Sequence, residues 1–284
     1  MASTKGEHGL TVVSVTESFF ERDLAGARFE RVDLTGATFE QVYLVGARFH
    51  GVDLSGVQIR GARFADVALN GDVQSLSING EVESLTVNGI DVVPLIEAEL
   101  DRRHPERVKL RPTDADGFRE AWPVIERLWN DTVERAEVLD PSLLHQEVDG
   151  EWSFIETMRH LLFATDAWIG RVIRGDPSPW HPLDLPFDEL PDIEGIPRDR
   201  DARPSLHEVL TLRNDRMSKV AQVIRDLTDE QLAGSTAPVP DPGWPPSQGF
   251  VVRNVLMIII NEEWWHRQFA ERDLATLTRR HPAR

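Results

Sequence analysis

Cysteine is missing from all 284 residues. Its absence excludes disulfides, thiolate catalysis by the chain itself, and cysteine-ligated zinc or iron–sulfur sites. Lysine is scarce as well, with Lys5, Lys109 and Lys219 the only three. Cations are outnumbered, 31 Lys and Arg against 48 Asp and Glu, for a formal net charge of −17. That balance argues against nucleic acid or an anionic membrane surface as a partner, because counterion release requires clustered cations. Long apolar runs are lacking too. The longest, Val255 to Ile260, is far too short to span a bilayer. The first residues, Met1 to Glu7, have no apolar stretch of the secretory kind, so a cytoplasmic location is expected. What remains can build a core: 40% of residues are hydrophobic and 28% charged, a composition that argues against global disorder and suits one large domain or two ordinary ones.

A repeat dominates the first third of the chain. From Leu24 to Leu69 a large apolar residue returns every fifth position: Leu24, Phe29, Leu34, Phe39, Leu44, Phe49, Leu54, Ile59, Phe64 and Leu69. A small or short apolar residue stands two places before most of them, among them Ala27, Val32, Ala37 and Ala62, and glycine recurs at Gly26, Gly36, Gly46 and Gly56. A period of five matches neither the 3.6 of a helix nor the 2.0 of a strand. It suits a square coil in which each side turns one large and one small residue inward. The period then changes to nine: Val73 to Gly80 is echoed by Val82 to Gly89, each segment alternating and each ending in Asn-Gly. Two short strands with turns are expected there, closing the open end of the coil.

This pattern resembles the pentapeptide-repeat family, which implies a right-handed four-sided β-solenoid. Some members of that family resemble duplex DNA in shape and charge. About ten repeats make only some two and a half coils, on the order of 12 Å at ~4.8 Å per layer. Residues Met1 to Gly89 carry seven basic and twelve acidic side chains, a modest excess. Both figures favour a structural or partner-docking role over DNA mimicry, with a protein partner or a second copy of the chain as the candidate occupant.

Beyond Gly89 the composition becomes helical. The expected division is 1–90 for the repeat region with its capping strands, 91–111 for a short helix and linker, and 112–284 for an all-α domain. The short helix covers 92–104 and stops before Pro105. Four longer helices follow. The first spans about 114–138, with Phe118, Trp122, Ile125 and Trp129 on one stripe. The second and third begin at Ser153 and Ser205, each followed three residues later by glutamate, the signature of a capping box. The fourth covers about 250–278. Two long irregular segments, Gly175 to Pro204 and the proline-rich Ala233 to Gly249, interrupt them. Loops of that length inside a compact domain are usually functional; these can fold over one end as a lid. The fold class is therefore read as α+β multidomain, a short β-solenoid followed by an all-α four-helix bundle.

Bundles build metal sites from side chains on neighbouring helices. Glu262 and His266 are four residues apart and share a helix face, and His160 sits among apolar neighbours on the second helix. Two imidazoles and a carboxylate with one open position suit zinc or a similar divalent ion, nickel included. Spacing leaves a second account open, in which Glu262 and His266 form a helical ion pair and His160 is a satisfied buried histidine.

The strings around these residues carry more. Trp152-Ser153-Phe154-Ile155-Glu156-Thr157-Met158-Arg159-His160-Leu161 and His266-Arg267-Gln268-Phe269-Ala270-Glu271-Arg272-Asp273-Leu274 resemble the two signature helices of the DinB-like superfamily. The resemblance covers about residues 112–280. That superfamily includes YfiT-like proteins, bacillithiol and mycothiol S-transferases, and mycothiol-dependent maleylpyruvate isomerase. Its usual triad is three histidines; Glu262 departs from it, as a glutamate does in the isomerase branch. The resemblance implies a divalent metal on His160, Glu262 and His266 that binds a low-molecular-weight thiol, mycothiol or a relative, for S-transfer or isomerisation. Two alternatives stand beside it: a metal-dependent hydrolase, and a non-catalytic metal-binding scaffold docking a partner through its solenoid. Further candidates are Glu156, which either orients His160 or caps its helix, His181 at the mouth of the site, His145, and Trp152 and Trp168 as core or pocket wall. Glu263, about 100° around the helix from Glu262, is expected as a solvated charge, and Arg272 with Asp273 as a structural pair.

Overall fold

The computed structural model describes residues 3–5, 11–13, 18–19, 21–39, 42–59 and 64–281, the first two stretches by backbone alone. The chain divides into two compact units, Met1–Val57 and Gln58–Arg284. In the first, strand β1 (Ser3–Lys5) pairs antiparallel with β2 (Thr11–Val13). The five-residue period then appears as corners. Left-handed backbone recurs at Glu21, Gly26, Arg31, Gly36, Gly46, Gly51 and Gly56. At alternate corners Leu24, Leu34, Leu44 and Leu54 accept a hydrogen bond from the amide three residues on. The third residue of each of those turns is a glycine with φ between 72° and 78°, which a side chain would strain. Asp23, Asp33 and Asp53 cap three of them by accepting from the amide two residues on.

The large residues of the repeat do not point into a closed interior. From Leu24 to Leu69 all ten are 44–63% exposed, which corrects the inward placement expected of them. The turn bonds are local, and none of the described residues from 21 to 59 lies in a strand. Ala62 lies outside the described residues.

In the second unit only one of the two expected capping strand segments pairs. Strand β3 (Thr86–Val87) meets β4 (Ile90–Asp91) across Asn88 and Gly89, both at positive φ as a tight hairpin requires. Val73 to Gly80 forms no strand. Six helices follow: α1 (Val93–Arg103), α2 (Ala115–Glu137), α3 (Phe154–Thr165), α4 (Leu206–Arg225), α5 (Asp229–Ala233) and α6 (Val252–Arg280). Ser153 with Glu156 and Ser205 with Glu208 are reciprocal capping boxes at the starts of α3 and α4. Both α2 and α3 pack against α4 and α6, enclosing Phe118, Trp122, Ile125, Leu161, Val220 and Ile260. Every residue of α3 except Glu156 is buried, Arg159 and His160 among them. It continues into a wider π-helical stretch, Asp166–Ile173, a distortion common beside functional sites.

Two buried arginines anchor the long loops. Arg159 of α3 donates to the carbonyls of Leu183 (2.9 Å), Ala202 (3.3 Å) and Asp199. Arg171 donates to those of Pro177 (3.1 Å), Val239 (3.2 Å) and Pro240 (2.8 Å). Both arginines are buried, and these carbonyl bonds offset the cost of taking their charge out of water.

A third anchor holds a proton. Asp184, on the first long loop, is buried against Asp166, which accepts three hydrogen bonds from Arg216 of α4. Two carboxylates cannot donate to each other, and the Oδ1 of Asp184 has no partner while both are ionised. Burial, followed by the charge of Asp166, pushes the Asp184 carboxyl up to about 8; the pair therefore shares one proton at neutral pH. The folded chain keeps that proton between the unfolded value near 3.8 and about pH 8, while the unfolded chain has lost it. Stability falls as pH rises through that window. Asp184→Asn, which donates without a proton to lose, is expected to flatten the fall. Relative to the parent it should gain up to about 4 kcal/mol between pH 5 and pH 8, each pH unit being worth about 1.4 kcal/mol. Urea unfolding at several pH values measures this, and parallel curves for the two proteins would refute it.

Candidate metal centre

His160 stands near the middle of α3, where the capped first turn and the packing of α3 on α4 and α6 fix its direction. Its Nδ1 lies 3.0 Å from the carbonyl oxygen of Leu185. A carbonyl only accepts, so Nδ1 carries the proton and Nε2 presents its lone pair to the site. Glu262 and His266 lie one turn apart on α6. His266 Nε2 is 3.0 Å and His160 Nε2 3.5 Å from Glu262 Oε2, and the three ligating atoms all fall within 4.8 Å of one another.

These distances suit a cation. Ligands about 2.1 Å from a tetrahedral ion are about 3.4 Å apart, close to the two separations observed. Burial pushes the Glu262 carboxyl up, but the facing imidazoles of His160 and His266 outweigh it and hold the group well below the usual carboxylate range. Burial drives the His266 imidazole down, His160 adds to this, and Glu262 opposes it. The result is an ionised carboxylate facing two imidazole Nε2 atoms. Glu262 Oε2 is itself buried and lacks a hydrogen-bond partner, a costly state that a bound cation relieves. The donor set therefore fits a divalent ion held by His160, Glu262 and His266.

In front of the triad lies a cavity of about 300 Å³ lined by Trp152, Phe163, Ala164, Trp168, Phe187 and Trp244 as well as the three ligating residues. The ring of Trp152 is centred 4.7 Å from His160 and lies parallel to His266 at 6.1 Å. Trp168 belongs to the π-helical stretch and is at once core and cavity wall. Both long loops reach the site: Phe187 comes from one, Trp244 from the other.

The remaining candidates fall elsewhere. Both carboxylate bonds of Glu156 go to Ser153, at 2.9 Å from its amide and 2.6 Å from its hydroxyl; the carbonyl of Leu185 orients His160 instead. His181 accepts from the Leu183 amide through Nδ1 and donates its own amide to Asp184, and it does not line the cavity. His145 ends the turn Pro141–His145, also outside it. Arg272 and Asp273 do pair, at 2.7 Å. Glu263 is not a solvated charge. It is 1% exposed and takes two hydrogen bonds from Arg213, at 3.0 and 2.7 Å, because α4 occupies the side of α6 that the helical step reaches. Sequence reasoning did not find Leu185, Phe163, Phe187 or Trp244. A backbone carbonyl leaves no trace in residue type, whereas an aromatic residue inside a proline-rich loop, Gly243-Trp244-Pro245, is a signal that can be read.

No helix among the described residues is long and apolar enough to cross a membrane. A family model of the DinB superfamily matches residues 124–270, just over half of the chain and inclusive of the whole triad. A model of pentapeptide repeats matches eight copies over residues 23–61, a type of repeat that suggests a β-solenoid. No curated protein and no solved structure matches the chain.

Proposed function

The chain belongs to the DinB superfamily, and on that premise we propose that it is a divalent-metal enzyme, with zinc first and nickel second as its ion, that uses a low-molecular-weight thiol for S-transfer or isomerisation. One observation carries the proposal: His160, Glu262 and His266 converge on one point at the floor of a ring-walled cavity, with an unpartnered carboxylate oxygen among them. A divalent ion there would lower the pKa of a bound thiol, near 8.5 when free and so mostly neutral, and its proton would pass to solvent.

The chain's own residues do the rest. The Leu185 carbonyl holds His160 in the tautomer that offers Nε2. Glu262 removes one unit from the positive charge of the centre, which moderates its acidity relative to three neutral imidazoles. The aromatic walls keep water from the reacting atoms. The nucleophilic sulfur comes from a cosubstrate, since the chain has no cysteine. The four-helix bundle and the right-handed coil belong to the same proposal. So do a cytoplasmic location and the absence of nucleic-acid and membrane partners.

The exposed apolar row from Leu24 to Leu69 favours one second reading, a metal-binding scaffold that docks a protein or another copy of itself through the repeat region. Elemental analysis of the purified protein followed by a thiol-conjugation assay separates the two. Bound metal with saturable, chelator-sensitive thiol consumption is the expected result. Bound metal with no thiol-dependent turnover across a panel of electrophiles would leave the scaffold.

A further inference from the structure

The cavity wall is unusual in chemistry. Apart from the triad and Ala164, everything lining it is an aromatic ring. Trp244 is the hub, with its ring centred 5.7 Å from Phe163, 5.3 Å from Trp168 and 5.3 Å from Phe187. Beyond the triad the lining residues include no cation, no carboxylate, no amide and no hydroxyl side chain. A charged substituent entering this space would lose its hydration and find no counter-charge on the wall. A flat ring would find what rings pack on, faces and edges at offset-stacked and T-shaped separations.

Volume and charge narrow the class. About 300 Å³ is some twice the ~150 Å³ of an apolar cavity that holds benzene, which is room for two fused rings. Aromatic walls also attract cations, but here that attraction is opposed. With a divalent ion on one carboxylate and two neutral imidazoles the centre is net positive, and the buried guanidinium of Arg171 stands directly behind Gly243, next to Trp244.

We infer that this cavity takes an uncharged, planar aromatic molecule of about two fused rings and holds it against the triad. The inference rests on the proposed metal centre for its chemistry and for the exclusion of cations, but not for binding of the neutral ring, because the rings are in place without an ion. The test titrates 1-fluoronaphthalene into the full-length protein, zinc-loaded and chelator-treated, followed by fluorine NMR. The charged counterparts are 2-naphthalenesulfonate and trimethyl(2-naphthyl)ammonium. Saturable one-site binding of the neutral ring to both forms is expected, and in the zinc-loaded form it should be about tenfold tighter than that of either charged ring. Trp244→Ala should weaken it about tenfold or more, as loss of a central aromatic anchor does. Trp244→Leu, which fills more of the space, should weaken it less; circular dichroism identifies the variants that remain folded.

Three results would overturn the inference: no saturable binding of the neutral ring, equal or tighter binding of a charged one to the zinc-loaded protein, or binding unmoved by substitution of Trp244 in a folded variant. Zinc content measured on the same samples keeps the two ideas apart. A protein that binds the ring but retains no zinc would overturn the metal centre and leave the cavity assignment standing.

Discussion

Replacing His266 by alanine is expected to strip the protein of its metal while leaving its helices in place. Of the three ligating residues His266 is the cleanest to remove. His160 is also tied to the Leu185 carbonyl, so its loss would free a loop as well as a ligand. Glu262 carries the site's only negative charge. His266 is partly exposed, on a 29-residue helix where alanine is the most favourable substitute. Loss of a partner that merely orients a ligand lowers metal affinity ~10–100-fold; loss of a ligand itself should exceed that. Two measurements follow. Metal per chain after dialysis should fall from near one to near zero. The thermal stabilisation of the parent by added zinc, about 2.7 kcal/mol when the ion is at 100 times its dissociation constant, should vanish in the variant. The far-ultraviolet circular dichroism should be the same in both. Unchanged metal content would mean that the three side chains meet for a structural reason alone.

The triad could be read from residue order because helices enforce a period. Four residues separate Glu262 from His266, and one helical turn brings them to the same face whatever else the chain does. The helix starts were equally legible, since Ser153 with Glu156 and Ser205 with Glu208 are local bonds that involve only four residues each. What could not be read depended on contacts between distant segments. The carbonyl of Leu185 meets His160 on a loop that Arg159 holds through the carbonyls of Leu183, Asp199 and Ala202. The aromatic wall forms only when two irregular segments arrive together. In the repeat region the corners were legible as a period of five, but the direction of the apolar side chains was not. That direction depends on whether successive layers bond to one another, which is a property of stacking and not of spacing.

Glu263 shows the same limit with the largest energetic consequence. One residue beyond Glu262 on a helix, it turns about 100° away, a step that from composition alone faces solvent. Arg213 of α4 meets it there, forming a bidentate pair in which the side chains are only 4% and 2% exposed. Such a pair is costly to break by halves, because the remaining charge stays buried without its partner. Glu263→Leu and Arg213→Met are each expected to destabilise the protein by about 3–5 kcal/mol, whereas the double replacement Arg213→Met with Glu263→Leu should recover most of that loss. Denaturant unfolding of the three variants measures the coupling. Metal content then decides what the pair is for. If Glu263 serves only to fasten α6 to α4, the refilled double variant should keep its metal, because Glu262 and His266 still stand one turn apart on an undisturbed helix. Strictly additive losses in stability would show that the pair is not coupled. Loss of metal from a double variant that is otherwise stable would mean that this ion pair, and not the helical turn alone, holds Glu262 at its place in the centre.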